Sequence, residues 1–294
     1  MRVSLSSFLD LLSGALAIGT IKLFKLLPFG LRRQLFGGLF ATLVAPLLGY
    51  RRRIRSNLQL ACPEIGAAER EKLIKSTSRN IGKTIIELFS PKDVVALAKK
   101  TKIEGPGLAT LEQAAKEGRS VICVSGHFGN YDVARAALIA QGFHLGALYR
   151  RLNNRVFHRY YFDNITTTGT PMFERGRPGL GDMVRHIKNG NPLAILIDQH
   201  MDDGAALQFF GQTAYTALSA AQMALKNDAE LVPFYAIRQS TGAPFRIVLE
   251  APITRGSAET MTQALNDSLE ARVRANMDQW LWSHKRWKAP RKSS

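Results

Sequence analysis

Apolar runs and amphipathic segments alternate along the chain beyond its first third. Short runs of mostly apolar residues, each placed after a turn signal, predict buried strands at 121–124, 145–149, 193–197 and 231–237. Segments with apolar residues three or four positions apart predict helices at 108–117, 131–141, 183–188 and 216–226. This alternation is typical of an α/β fold, in which a largely parallel sheet is flanked by helices.

Three further elements complete the predicted fold. Residues 69–89 form an amphipathic pattern that predicts a helix, and residues 258–282 predict a long terminal helix. Residues 245–249 predict a strand that runs antiparallel to its neighbour. The active sites of parallel sheets lie at the carboxyl ends of the strands. Polar residues that directly follow a predicted strand are therefore the first candidates for chemistry.

The first part of the chain is strongly apolar. Val3 to Ile21 carries one charged residue, Asp10, and approaches the roughly 20 residues that a helix needs to span a bilayer. Phe36 to Gly49 is uncharged but shorter, which favours an interfacial or buried helix. We predict an N-terminal apolar helical membrane anchor over residues 1–50, either spanning the membrane or lying on it, and a second domain over residues 51–294. A cleaved signal peptide is disfavoured because Asp10 interrupts the apolar segment.

Positive charge is the strongest feature of the composition. Lys and Arg total 40 against 23 Asp and Glu, which gives a net charge of +17 at pH 7. Such an excess attracts nucleic acid, anionic lipid, phosphorylated substrates or an acidic carrier protein. The basic run from Arg51 to Arg55 directly follows the apolar region, which favours the cytoplasmic side of a membrane and anionic lipid there. The sequence has no RNA- or DNA-binding motif, so we predict no nucleic-acid partner.

The segment from Ser125 to Asp132 follows a predicted strand and leads into a predicted helix. Gly126 and Gly129 allow the backbone to turn sharply and a substrate to approach closely. Asn130 is placed to cap the N-terminus of the helix. We predict that these three residues line the substrate-binding site.

Within this segment, His127 and Asp132 are the candidate catalytic pair. A neutral imidazole can remove a proton from a hydroxyl, and a carboxylate on its other ring nitrogen fixes the tautomer. The alternative is a loop histidine beside an ordinary aspartate of the first helical turn. A Cys123–His127 pair is disfavoured because four residues of strand separate its members by roughly 13 Å. Ser125 lacks the flanking glycines of a nucleophile elbow.

A second polar segment, Asp198 to Asp203, also follows a predicted strand and should face the same edge of the sheet. Its Asp198, His200 and Asp202 side chains are suited either to a metal ion or to polar groups of a substrate. The first alternative makes the protein a metal-dependent hydrolase. We favour the second, with Asp198 and Gln199 as substrate-binding residues and without a metal ion.

Four arginines in the middle of the chain are candidate anion-binding groups. Arg150 and Arg151 follow the strand at 145–149, and Arg175 and Arg177 flank a glycine. A guanidinium group binds phosphate through two hydrogen bonds at once. We predict that Arg150 and Arg175 bind substrate; the alternative is that they are ordinary surface arginines.

These segments, in this order, resemble the late acyltransferases of lipid A biosynthesis, which share with the wider glycerolipid acyltransferase group a histidine and an acidic residue separated by four others. The resemblance extends from about Arg51 to Lys288. It is carried by Asn57-Leu58, Pro63-Glu64, His127 to Asp132, Tyr149-Arg150, Asp198-Gln199, Phe209-Phe210-Gly211 and Gln279-Trp280-Leu281-Trp282 before His284. Two features depart from the family pattern: Asp132 stands where the family often has glutamate, and residues 162–168 lack an arginine.

The resemblance implies a glycerolipid acyltransferase-like fold and the transfer of a fatty acyl chain from acyl carrier protein, or coenzyme A, to a hydroxyl of a lipid A precursor. By matching position, His127 is the general base, Asp132 is its partner, and Arg150 and Asp198 lie on the substrate side. The resemblance also implies a bacterial inner-membrane protein whose catalytic domain lies at the cytoplasmic face. We predict no cofactor besides the thioester donor.

The predicted mechanism is direct transfer without an acyl-enzyme. His127 deprotonates the hydroxyl, which attacks the thioester carbonyl, and backbone amides near Gly126 to Gly129 or a nearby arginine stabilise the oxyanion. Besides the metal-dependent hydrolase, the remaining alternative is a basic membrane adaptor without enzymatic activity.

Overall fold

The computed structural model describes residues 5–289. Its N-terminal part is helical throughout, with α1 (Leu5–Lys25), α2 (Phe29–Leu39), a π-helical segment (Phe40–Val44), α3 (Ala45–Leu47), α4 (Tyr50–Ala61), α5 (Ala67–Leu88) and α6 (Pro91–Ala98). The middle of the chain contains β1 (Ile103–Glu104), α7 (Gly107–Lys116), β2 (Val121–Ser125), α8 (Tyr131–Ala140), β3 (Gly146–Tyr149), α9 (Arg155–Thr168) and β4 (Met172–Glu174). The last part contains α10 (Arg177–Lys188), β5 (Leu193–Leu196), β6 (Ala205–Phe209), β7 (Gln212–Thr216), α11 (Ser219–Lys226), β8 (Glu230–Arg238), β9 (Phe245–Leu249), α12 (Ala258–Ala275) and a 3₁₀ turn (Met277–Gln279).

Seven strands form the main sheet of the described chain, in the order β1-β9-β8-β2-β5-β3-β4. Neighbouring strands are parallel except β8 and β9, which are antiparallel. The predicted α/β fold with a largely parallel sheet is thus confirmed, as is the antiparallel strand at 245–249. Every residue of β2 is buried, because this strand lies inside the sheet between β8 and β5.

Helices cover both faces of the sheet and contribute to two separate hydrophobic layers. Val121 and Cys123 of β2 belong to the layer that contains the buried face of α8. Ile122 and Val124, on the opposite face, belong to the layer that contains α11 and part of α12. This alternation follows from the two-residue period of a strand. It fixes β2 firmly and so gives a rigid base to the loop that follows it.

The predicted N-terminal membrane anchor is wrong. Within the part of the chain that the structure describes, no helix is both long enough and apolar enough to cross a bilayer. α1 has 21 residues, but Asp10, Lys22, Lys25 and several small polar residues interrupt its apolar sequence. It contacts α9, where the side chain of Asn154 donates a hydrogen bond to the backbone oxygen of Asp10 at 2.6 Å. The first residue of the predicted segment, Val3, lies outside the described residues, and the domain boundary near residue 50 stays a prediction.

The second apolar segment of the N-terminal region packs against α5. A Cβ atom at Gly82 would lie 2.5 Å from the Cβ of Phe40, and one at Gly37 would lie 2.9 Å from the backbone oxygen of Arg79. The two helical segments therefore approach closely through glycines. Phe36 and Phe40 are buried in this contact, as expected for the predicted buried helix.

Several elements differ from the pattern-based prediction. The sequence analysis did not predict α9, β4 or the hairpin formed by β6 and β7. The terminal helix, predicted to reach residue 282, ends at Ala275 because Asn276 leaves the helical region with φ −149° and ψ 62°. Beyond it, Trp280 is extended and forms an isolated antiparallel bridge with Phe128. The segment that follows α12 thereby contacts the loop after β2.

Candidate active site

The loop between β2 and α8 holds His127 at the carboxyl edge of the sheet. Gly129 has a φ of +55°, in the left-handed region that favours glycine, and a Cβ atom there would collide with the backbone oxygen of Ala236. Asn130 caps α8, because its Oδ1 accepts hydrogen bonds from the backbone amides of residues 132 and 133. The turn and the cap are as predicted, and the substrate-binding role of these residues stays a prediction.

His127 is held by the carboxylate of Asp198. Oδ1 of Asp198 lies 2.7 Å from Nδ1 of His127. Oδ2 accepts hydrogen bonds from the backbone amide of His127 at 2.7 Å and from Nε1 of Trp280 at 2.9 Å. Because the carboxylate accepts from Nδ1, this nitrogen carries the ring proton and Nε2 presents its lone pair. The His127 side chain is 22% exposed, so Nε2 is accessible to a substrate.

Burial and charge oppose each other at this pair. Burial alone would lower the pKa of His127, but the charge and hydrogen bond of Asp198 outweigh it and raise this pKa above its ordinary value. Burial likewise opposes ionisation of Asp198, yet the hydrogen bonds from His127 and Trp280 hold its pKa well below the usual range. The carboxylate therefore stays ionised at neutral pH, as a partner that orients and stabilises an imidazolium must.

The register of two adjacent strands brings His127 and Asp198 together. β2 and β5 are parallel neighbours in which Ser125 is opposite Leu196. His127 lies two residues after Ser125, and Asp198 lies two residues after Leu196. Both side chains therefore lie at the same edge of the sheet. Gly126 keeps the loop close to this carboxylate, since a Cβ atom there would lie 3.1 Å from Oδ2 of Asp198 and 2.7 Å from Cδ2 of Leu269.

Asp132 has a different partner from the one predicted. Arg135, one turn further along α8, donates a hydrogen bond from Nε to Oδ1 of Asp132 at 3.0 Å. The same guanidinium donates to the backbone oxygens of Ile165 and Gly169, which ties α8 to the end of α9. Oδ2 of Asp132 is buried without a hydrogen-bond partner among the described residues. The carboxylate that contacts His127 is thus that of Asp198, because Asp132 lies on the helix and its Oδ1 is held there by Arg135.

The side chains of the metal-site alternative are not gathered around one point. His200 bonds through Nε2 to Asp202 at 2.9 Å, whereas Asp198 is directed towards His127. Between residues 5 and 289, no group of three or more His, Cys, Asp or Glu side chains is arranged to hold a metal ion.

Two cavities meet at His127 and Tyr131. The larger has a volume of about 380 Å³ and extends over the sheet towards α9. Its wall includes three predicted substrate-binding residues, Arg150, Arg175 and Gln199, and also Asp132. The structure therefore brings these predicted residues to one cavity beside the candidate base.

The smaller cavity has a volume of about 320 Å³ and lies between α5 and the segment after α12. Along α5 its wall contains the aliphatic side chains of Ile81, Ile85 and Leu88 together with the polar side chains of Thr77, Asn80 and Thr84. His127 and His284 both line this cavity. His127 therefore borders both cavities, one with Arg150 and Arg175 in its wall and one with three aliphatic side chains of α5 in its wall.

A buried ion cluster supports the catalytic loop from behind. Glu87 is fully buried and pairs with Arg238 and with Arg33, whose Nε lies 2.6 Å from Oε1 of Glu87. Its Oε2 accepts a hydrogen bond from Nδ2 of Asn130 at 2.7 Å. Burial opposes ionisation of Glu87, but the charge and hydrogen bonds of Arg238 outweigh it and lower this pKa. Both polar ends of the Asn130 side chain are thus engaged in holding the loop.

Sequence analysis missed three residues of this site. Trp280 and His284 belong to a motif of the family resemblance but were assigned no role in the site, and Glu87 was not predicted to be part of it. A buried glutamate on the apolar side of α5 is a signal that was present in the sequence, because an unpaired charge is rarely buried. The position of Trp280 depends on where α12 ends, and no local pattern predicted that end.

The fold and the site together define a class of protein. A histidine with an accessible lone pair, fixed by a buried carboxylate at the carboxyl edge of a parallel sheet, is suited to activating a hydroxyl group. The two cavities that meet there provide room for a donor and an acceptor. This is the arrangement of an α/β group-transfer enzyme.

Comparison with known proteins identifies the family. A family model described as bacterial lipid A biosynthesis acyltransferase matches residues 6–289. A lipid A biosynthesis acyltransferase of Haemophilus influenzae is 22% identical over 273 residues, which cover 91% of this chain and 85% of that protein. A lipid A biosynthesis palmitoleoyltransferase of Escherichia coli is 25% identical over 283 residues, covering 92% and 89%. A phosphatidylinositol mannoside acyltransferase of Mycobacterium tuberculosis is 22% identical over 187 residues, covering 62% and 59%.

The chain belongs to the bacterial lipid A biosynthesis acyltransferase family, and it is an acyltransferase. The family resemblance and the enzyme class inferred from the sequence are thereby confirmed.

Proposed function

We propose that the protein transfers a fatty acyl chain from an acyl carrier protein thioester, or from acyl-coenzyme A, to a hydroxyl of a lipid A precursor. The observation that carries this proposal is the His127 imidazole, which Asp198 orients and which opens on two cavities. A base placed between two bound substrates is what a direct transfer requires.

In the proposed mechanism, Nε2 of His127 takes the proton of the acceptor hydroxyl as its oxygen attacks the thioester carbonyl carbon. The carbonyl electron pair moves to oxygen, and a tetrahedral intermediate forms. When it collapses, the carbon–sulfur bond breaks, sulfur keeps the electron pair, and the imidazolium of His127 returns its proton to sulfur. Asp198 stabilises the transient imidazolium and keeps the tautomer correct throughout. No group of the protein is acylated.

The polarity of the two cavities supports an assignment of the substrates. Arg150 and Arg175 in the larger cavity suit a phosphate-bearing head group, and the net charge of +17 favours anionic partners in general. The unpaired Oδ2 of Asp132 is a hydrogen-bond acceptor for a hydroxyl of that head group, which keeps Asp132 in the proposed site. The aliphatic side chains of Ile81, Ile85 and Leu88 in the smaller cavity suit the acyl chain of the donor.

The proposal is tested by supplying membranes containing the protein with a labelled acyl-acyl carrier protein and a lipid A precursor. We expect labelled lipid, no labelled protein after denaturation, and no loss of activity with a chelator. Activity that a chelator abolishes would favour the metal-dependent hydrolase. A covalent acyl-protein would contradict direct transfer, and the absence of acyl transfer with either donor would contradict the proposed substrates.

We further propose that the exposed surface of the N-terminal helices makes reversible contact with anionic lipid at the cytoplasmic face of the inner membrane, without any helix anchoring the chain in the bilayer. Large aliphatic side chains are exposed along this region: Leu11, Leu12, Leu16, Leu23, Leu26, Leu31, Leu35, Leu43, Leu47 and Leu48. Lys22 and Lys25 lie among them at the end of α1. Exposed leucines beside lysines suit the boundary between lipid head groups and acyl chains. A lipid substrate is thereby kept near the site.

The double variant Leu16→Glu, Leu23→Glu is expected to bind vesicles containing phosphatidylglycerol at least roughly tenfold more weakly than the wild type. The change removes two exposed apolar side chains and adds negative charge next to an anionic surface. Vesicle flotation measures the effect. Leu225→Glu is the matched control, because Leu225 is an exposed leucine of α11, far along the chain from the N-terminal helices. Equal binding of all three proteins would contradict the proposed membrane surface.

A further inference from the structure

The backbone amides of residues 127–130, in the catalytic loop, are already engaged by the protein. The amide of His127 donates to Asp198, and the amide of Phe128 donates to the oxygen of Gly126. The amides of Gly129 and Asn130 donate to the backbone oxygens of residues 279 and 236. The sequence-based expectation that amides of this loop stabilise an oxyanion therefore fails for residues 127–129. The charge that develops on the carbonyl oxygen therefore needs a donor other than these amides.

His284 is placed to be that donor. It lines the smaller cavity together with His127, so a thioester bound there beside the base lies within the space that both histidines border. Backbone contacts fix its position: its amide donates to the oxygen of Leu281 at 3.0 Å, and its own oxygen accepts from Nδ2 of Asn57 at 2.7 Å. Asn57 also binds the oxygen of Trp282, which fixes the whole turn against α4.

The tautomer of His284 follows from one hydrogen bond. The backbone amide of His200 donates to Nε2 of His284 at 3.3 Å. An amide can only donate, so Nε2 must be the acceptor and the ring proton of the neutral imidazole must lie on Nδ1. Among the residues that the structure describes, no protein group accepts a hydrogen bond from this Nδ1. The ring thus has a free N–H group.

The surroundings keep this ring neutral. Burial lowers the pKa of His284 to about 4, and the charges of His127, Arg286 and His200 act in the same direction. The charge of Asp198 opposes them but does not outweigh them. A neutral imidazole is a suitable electrophile beside a catalytic base, because it donates a hydrogen bond without competing for the proton of the acceptor.

We propose that His284 is a catalytic residue, whose Nδ1–H donates a hydrogen bond to the thioester carbonyl oxygen and stabilises the oxyanion. The inference rests on the acyl transfer proposed above. As the acceptor oxygen bonds to the carbonyl carbon, the carbonyl electron pair moves to oxygen and the hydrogen bond from Nδ1 strengthens. When the carbon–sulfur bond breaks, the carbonyl is restored, and His284 has neither gained nor lost a proton.

Three substitutions separate this role from a structural one. His284→Ala removes both ring nitrogens. In His284→Asn, the amide nitrogen is bonded to Cγ as Nδ1 is, so the variant restores a donor at the Nδ1 position. In His284→Gln, the amide oxygen is two bonds from Cγ as Nε2 is, so the variant restores the acceptor for the His200 amide. A catalytic role predicts rescue by Asn, and a purely structural role predicts rescue by Gln.

We expect kcat to fall by roughly 100-fold or more in His284→Ala and His284→Gln, with little change in KM, and to recover at least partly in His284→Asn. Because His284 is neutral throughout the working range, the pH profile should keep the shape that His127 and Asp198 give it. Rescue by Gln alone, an equal loss in all three variants, or a loss confined to KM would overturn the proposal. Melting temperatures of the purified proteins identify any variant that fails to fold.

The experiment measures two products in parallel, labelled lipid and free thiol. Thiol release reports on cleavage of the thioester whether the attacking oxygen belongs to a lipid A precursor, another hydroxyl or water. Thiol release by the wild type without labelled lipid A would therefore refute the proposed acceptor and still test His284. Wild-type transfer to lipid A that is unchanged in His284→Ala would refute only the role of His284.

Discussion

The substitution Asp198→Asn is expected to reduce acyl transfer by about 10⁴-fold, although it changes only one atom of the side chain. The reason is the pattern of hydrogen bonds around the carboxylate. Oδ2 accepts from two donors that cannot be reversed, the backbone amide of His127 and Nε1 of Trp280. In the variant, the amide oxygen must occupy this position, and the NH₂ group must then face Nδ1 of His127.

An NH₂ group opposite Nδ1 forces this nitrogen to accept a hydrogen bond. The ring proton then moves to Nε2, which can no longer take a proton from the acceptor hydroxyl. Steady-state kinetics with the labelled thioester donor measures the loss. Asp203→Asn is the matched control, because Asp203 is an exposed aspartate of the same loop. If the Asn variant at 198 kept more than about a tenth of the activity, the role of Asp198 in fixing the tautomer would be refuted.

The pH dependence of the wild type and of Asp198→Ala tests the same pair by its charge. The base must be neutral to act, so activity is present above the pKa of His127 and is lost as the pH falls through it. In the wild type, burial lowers the pKa of His127, but Asp198 raises it by a larger amount. The loss of activity is therefore expected at a pH above the ordinary pKa of 6.5. In Asp198→Ala the effect of burial remains without the carboxylate, so the pKa of His127 should be lower than in the wild type. The residual activity should therefore persist to lower pH. A shift in the opposite direction would contradict the assigned pair.

Hydrophobic patterning predicted the edge of the sheet at which chemistry occurs but not the pair that occupies it. The strands before His127 and Asp198 were both predicted, and both polar segments were expected on the same side. That β2 and β5 are direct neighbours is a property of strand order, which apolar runs do not specify. The five-residue separation from Asp132 favoured a local pair instead. In the folded protein Asp132 instead pairs with Arg135, which lies three residues further along the same helix. Side chains three residues apart on a helix are neighbours, so this pair was as compatible with the sequence as the His127–Asp132 pair.

The two ends of the chain were the parts least accessible to pattern analysis. An apolar segment of suitable length predicted an anchor, but the polar residues of α1 make it too weakly apolar to cross a bilayer. At the other end, the helical pattern was extended to residue 282, whereas the chain turns at Asn276. Trp280 and Trp282 are then fully buried against aromatic rings of β6 and its turn. Tertiary packing of this kind overrides local periodicity, and it is what delivers Trp280 and His284 to the site.

The substitution His127→Ala is expected to lower acyl transfer by about 10⁴-fold or more, because it removes the base, and with it the effect of Asp198, while leaving both cavities in place. Since the side chain is small and partly exposed, the protein should keep its fold, which its melting temperature measures. His144→Ala is the matched control, because His144 is exposed and contacts the ring of His186 rather than the site.

The double variant His127→Ala, Asp198→Asn should be no less active than His127→Ala alone. Asp198 is expected to act only through the imidazole, so its loss has no further effect once the imidazole is gone. The same transfer assay compares the single and double variants. If the loss of activity in the double variant equalled the product of the two single-variant losses, Asp198 would also act on the substrate directly, as its sequence-based assignment to the substrate side implies. Non-additive losses would instead place it behind His127, where the register of β2 and β5 puts it.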